Sequence, residues 1–141
     1  MKKQFHFFVF ILIATFIQSC VPEDSVTPDT GDIRDKFTGS WLFIETGKKR
    51  SVNVTYTVEI SKDPSNSSQV LLSNFGNPGL GYDPAYGIAT SGRITVPSQN
   101  TASDWRVEGS GTLTNAGKMD WTYSITAGGN KDTYLATATR Q

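Results

Sequence analysis

Met119, Trp121, Tyr123 and Ile125 place a large apolar side chain on every second residue, with Lys118, Asp120, Thr122 and Ser124 between them. A period of two is the signature of a strand with one face in a core and the other in water. The same alternation runs through Val54, Tyr56, Val58 and Ile60 against Thr55, Thr57 and Glu59. It returns in Trp105, Val107, Gly109, Gly111 and Leu113 against Arg106, Glu108, Ser110 and Thr112. Tyr134, Ala136 and Ala138 alternate with Thr133, Thr137 and Thr139. Shorter candidate strands cover residues 41–45, 69–73, 86–90 and 93–97. No helical stretch of useful length follows residue 19.

The joints carry turn chemistry. "TGKKRS", "KDPSNSS", "TSGR", "TNAGK" and "AGGNK" each offer Gly, Asn, Asp or Pro where the chain must reverse. Strands joined by short turns predict an all-β antiparallel meander. A sheet with one apolar face must cover that face, and closure into a small eight-stranded barrel both covers it and removes the edges. A flattened barrel or two-sheet sandwich is the alternative. The expected inward set is bulky: Trp41, Phe43, Tyr56, Val58, Ile60, Trp105, Trp121, Tyr123 and Tyr134. Eight strands enclose an interior that side chains fill, or that holds one small ligand. A ligand-holding barrel predicts a pocket lined by Tyr56, Trp105 and Tyr123. Gly109 and Gly111 on the inward face are expected to let a strand bend at a barrel corner. The Gly-rich segment 73–92 is expected to be a long loop that plugs one barrel end with Phe75 and Tyr82, or presents Phe75, Tyr82 and Tyr86 for recognition.

The beginning of the chain bears on location. Lys2 and Lys3 precede a mostly apolar run, residues 5–17, with His6 near its start. That run is short of the roughly 20 residues of a membrane-spanning helix and fits a secretory signal. "IQSC" resembles a bacterial lipobox, with Ile17 at −3, Ser19 at −1 and Cys20 at +1. The resemblance implies cleavage before Cys20, acylation of its thiol and anchoring to a membrane through lipid; two or more acyl chains hold stably. The expected division is therefore a signal peptide over 1–19, a lipidated disordered tether over 20–33 and a barrel domain over 34–141. Glu23 and Asp24 resemble the acidic surface-export signals of Bacteroidetes-type lipoproteins, which implies an outer-membrane lipoprotein of the bacterial envelope. Residues 24–26, "DSV", resemble the short O-glycosylation sequon of the same bacteria.

Cleavage removes His6, the only histidine, and acylation consumes Cys20, the only cysteine. Nucleophile systems built on Ser-His-Asp or Cys-His, and zinc sites built on His or Cys, are thereby excluded from the mature domain. A single cysteine also excludes an intramolecular disulfide. Loss of Lys2 and Lys3 turns an even balance of 13 basic and 13 acidic residues into a slight acidic excess, which does not suit nucleic acid. No enzyme activity, cofactor or metal is expected.

"DKFTGSWLF", residues 35–43, is similar to the opening of the calycins, the lipocalins and fatty-acid-binding proteins. The matching features are Gly39 and Trp41 as Gly-x-Trp, Phe37 two residues before the glycine, and Arg140 near the end of the last strand. The resemblance implies a lipocalin-like barrel whose floor Trp41 closes, with Arg140 packed across the indole. It also implies that Gly39, Trp41 and Arg140 are structural. Segments 73–76 and 95–99 resemble small lipocalin-like lipoproteins of Bacteroidetes. Two functions fit these readings. One is a non-catalytic binder of a small apolar or glycan ligand, inside the barrel or under the 73–92 loop. The other is a filled barrel that docks onto another envelope protein.

Overall fold

A computed structural model describes residues 31–47 and 53–141. Cys20, the expected tether through residue 30 and the Lys48–Arg50 turn lie outside the described residues. Eight strands follow in chain order: β1 (Gly39–Gly47), β2 (Val54–Lys62), β3 (Gln69–Ser73), β4 (Ala85–Ala89), β5 (Arg93–Ala102), β6 (Trp105–Asn115), β7 (Lys118–Ala127) and β8 (Asn130–Arg140). Each pairs antiparallel with the next, and β1 pairs with β8 from Trp41↔Arg140 to Gly47↔Tyr134, closing the barrel. The period of two predicts this outcome, and the closed ring excludes a sandwich. The inward residues of β2 and β7 are those of the alternation: Tyr56, Val58 and Ile60, then Met119, Trp121, Tyr123 and Ile125, all buried.

The two barrel ends differ. The floor is the end where β1 begins and β8 finishes. Here Asp32 caps a 3₁₀ turn, Ile33–Lys36, by accepting from the Arg34 amide at 2.9 Å. Arg34 is buried, and its Nη1 donates to the carbonyls of Asp63, Asn66 and Gln69 at 3.0–3.2 Å. It thereby pins the N-terminal segment to the β2–β3 turn. The compact unit begins at Gly31, so the expected domain start at residue 34 falls inside the fold: Asp32 and Arg34 are part of the floor. Trp41 Nε1 donates to the Phe37 carbonyl at 2.7 Å, and the Arg140 guanidinium lies 4.5 Å from the indole centroid. Arg140 also donates to the carbonyls of Thr38 and Lys36. Gly39 has φ 120°, and a Cβ there would come 3.1 Å from Arg140 Nη1. Both conformation and space call for glycine at that position.

Between β4 and β5 the ladder is short, Ile88↔Thr95 and Ala89↔Ile94. Continuing that register would set Pro97, which lacks an N–H, opposite Tyr86. The Gln99 side chain fills the gap. Its Oε1 accepts from the Tyr86 amide at 2.9 Å, and its Nε2 donates to the Tyr86 carbonyl at 2.7 Å. One primary amide thus replaces a peptide unit and caps what would be a bare strand edge. The bulge around Val96 and Gln99 also extends β5 to Ala102, well beyond the expected 93–97 strand.

At Gly109 and Gly111 the structure shows close packing. A Cβ at Gly111 would overlap the Trp121 indole, and one at Gly109 would meet Tyr123 Cβ and the Thr122 carbonyl. Their register partners are these same residues, Gly111↔Trp121 and Gly109↔Tyr123. The glycines leave no open space: Gly111 seats the Trp121 indole, and Gly109 lies against the start of the Tyr123 side chain.

Candidate functional site at the barrel mouth

The mouth is the opposite end, where β3 and β4 are joined by the loop 74–84. Tyr86, expected both at the start of the candidate strand 86–90 and within the loop 73–92, is an outward residue of β4 and is 37% exposed. The loop is shaped by positive φ at Asn74, Gly76, Asn77 and Gly79. The Asn74 side chain ties it down, donating to the Thr57 carbonyl at 2.9 Å and accepting from the Gly79 amide at 3.0 Å. Asn tolerates the left-handed region better than most residues. The loop is therefore built around a defined conformation, with Phe75 aimed inward.

Phe75 is 1% exposed. Its ring lies 5.1 Å from that of Trp121, 5.0 Å from Tyr123 and 6.3 Å from Phe43, the last edge-on. Phe75 thus fills the barrel as the plug reading expects. Tyr82 does not join it: 46% of its surface is exposed, and Leu80 beside it is 89% exposed.

Next to Phe75, reached through the Tyr123 ring, lies a polar cluster. The Tyr123 hydroxyl donates to Glu45 Oε2. Its one proton is thereby used, so at 2.7 Å it accepts from the Tyr56 hydroxyl. A directed chain results, Tyr56 to Tyr123 to Glu45. Burial, the largest cause, pushes both phenols above their ordinary value, and Glu45 adds to the shift. Both therefore stay protonated and serve as donors at any ordinary pH. Tyr134 stacks on Tyr123 at 5.6 Å, and Phe43 stacks on Tyr56 at 5.5 Å.

These contacts correct the expected pocket. Tyr56 and Tyr123 do not line an open cavity, because both are buried, their hydroxyls meet across the interior and Phe75 packs on the Tyr123 ring. Trp105 stands apart as a half-buried side chain packed on the core. Among the described residues, three buried polar groups have no hydrogen-bond partner: Trp121 Nε1, Trp105 Nε1 and Thr101 Oγ1. Among the described residues no group of His, Cys, Asp or Glu side chains is placed to hold a metal ion. A polar groove of about 180 Å³ on the outside, next to the β5–β6 and β7–β8 turns, is lined by Asn100, Asp104, Arg106 and Gly128 among others.

Glu45 is absent from the expected site residues. Its signal lies in the alternation itself, since Trp41 and Phe43 point inward and the next inward position on β1 is residue 45. An acid in that phase is a buried carboxylate that needs a donor.

No protein-family model matches the sequence, and neither does any curated protein. Among solved structures, a redesigned β-barrel is similar over 79% of this chain and 97% of its own, with 13% identity and a TM-score of 0.48.

Proposed function

We propose that the chain is a lipid-anchored lipoprotein of the bacterial outer membrane with a non-catalytic binding role, exercised under the 74–84 loop. Cys20, in its lipobox-like setting, is the anchor, and the lipocalin-like character of the floor (Gly39, Trp41, Arg140) is the scaffold. The observation that carries the binding reading is the source of the mouth's filling. A ring that fills the interior beside Trp121 and Tyr123 comes from a loop, Phe75, and not from the strand ladder. Loops open at lower free energy than paired strands, so the interior is closed by the part that can leave. A second reading, docking of the filled barrel onto another envelope protein, is favoured by the exposure of Leu80 and Tyr82 on the same loop.

Titration of the full-length chain with a small neutral ring probe, 4-ethylphenol, separates the two. Saturable one-to-one binding, tightened by Phe75→Ala, is expected of the binder. Failure of the wild-type chain to bind would leave the docking reading. The anchor has its own test. The chain should incorporate an alkyne-labelled fatty acid in a bacterial host and lose the label in Cys20→Ser; a labelled Cys20→Ser chain would refute it.

A further inference from the structure

Resting on that reading, the residues around Phe75 indicate what would replace it. Phe75 sits among the rings of Phe43, Trp121 and Tyr123, so its seat has the shape and surface of an aromatic ring. Two polar features border this seat, and a phenyl group satisfies neither. Trp121 is 2% exposed, and its Nε1 has no acceptor. Glu45 is 6% exposed, and it receives the Tyr123 hydroxyl, which belongs to one of the rings that Phe75 touches. A buried carboxylate held by the Tyr123 hydroxyl, with Tyr56 behind it, is the chemistry of an ammonium site, combining charge attraction with neighbouring aromatic rings. An unpartnered indole N–H asks for an oxygen acceptor on the same ligand.

We propose that the seat of Phe75 is a binding site for a small aromatic amine carrying a hydroxyl, and that Phe75 occupies it in the absence of ligand. The ligand's ring takes the place of the phenyl group between Trp121 and Tyr123. Its ammonium group approaches Glu45, and its hydroxyl oxygen accepts from Trp121 Nε1. Phe75 leaves with its loop. Its neighbours there carry φ values, 64° at Asn74 and 78° at Gly76, that set the ring's entry angle. Binding is therefore coupled to loop opening, and the loop-closed population lowers the apparent affinity.

A matched pair of probes tests the chemical class: tyramine and 4-ethylphenol share a phenol ring and differ by the ammonium group. Calorimetric titration of the full-length chain should show both binding one-to-one, with tyramine tighter by about tenfold, the factor that about 1.4 kcal/mol confers. Glu45→Gln should abolish the difference between the probes while retaining 4-ethylphenol. Because Glu45 is buried, a second comparison avoids altering it. Phe75→Ala should tighten both probes and keep their ratio, and tyramine should shift the Trp121 indole N–H resonance in the wild-type chain. If the wild-type chain binds the two probes equally, the aromatic-amine site is wrong while the loop-covered binding site stands. If the wild-type chain binds neither, both are wrong.

Discussion

At the scale of the residue, the buried phenols make the clearest prediction. Tyr56 and Tyr123 have pKa values raised above the ordinary 10.0, chiefly by burial. A raised value in the folded state means that the neutral form is favoured there. The stabilising contribution is complete below about pH 10 and is lost as pH rises beyond the unfolded value, because the unfolded chain releases those protons first. Absorbance at 295 nm and circular dichroism, followed together against pH, test this. Tyr56 and Tyr123 should ionise only together with loss of the folded circular-dichroism signal. Ionisation of Tyr56 or Tyr123 in a chain that stays folded would contradict the Tyr56–Tyr123–Glu45 chain. Glu45 also marks a limit of residue-level reading. Its inward phase is legible from Trp41 and Phe43, but its donor is 78 positions away.

At the scale of the element, β6 and β7 work as a matched pair. Gly111 is opposite Trp121, and the indole occupies the space of a Cβ. Gly111→Ala keeps an ordinary strand residue and improves local propensity, yet it should destabilise the domain by about 1–3 kcal/mol or more through overpacking. Urea denaturation followed by tryptophan fluorescence measures it. An unchanged midpoint would show that Trp121 has another rotamer at no penalty. The alternation of β6 was legible from Trp105 to Leu113, but the reason for its two glycines was not. Glycine in a strand fits a bend, a bulge or a close approach equally well, and only the ring across the ladder distinguishes them. Gln99 makes the same point on β5. Nothing local signals that a glutamine two residues after a proline will serve as the missing peptide group of Tyr86.

At the scale of the whole molecule, closure depends on the floor. The β1–β8 seam begins at Trp41↔Arg140, and the same two residues stack there. Trp41 is fully buried and also receives the chain entering from Phe37. Trp41→Ala should cost about 3–5 kcal/mol, the range for removing a large core aromatic. A domain that melts unchanged would overturn the role of Trp41 in closing the barrel. Arg34 extends the floor beyond the strands. It is the first residue of the expected barrel domain, in a stretch without apolar periodicity. Its three carbonyl acceptors, 29 to 35 positions away, are supplied by another turn.

The sequence by itself determined the number of strands, the alternation of their faces, the turns between them and the all-β class. Each of these follows from a local rule: a period of two, or a residue suited to reversing the chain. The choice of a closed barrel over a sandwich was made by the β1–β8 pairing. The tertiary structure decided what those faces meet. It set Phe75 inside and Tyr82 outside, seated Trp121 on Gly111, joined Tyr123 to Glu45 and drew Arg34 into the floor. Those outcomes depend on register and closure, which bring together residues far apart in the chain. The alternation says only that a side chain points inward; the opposing strand decides whether it finds a ring, a carboxylate or a glycine.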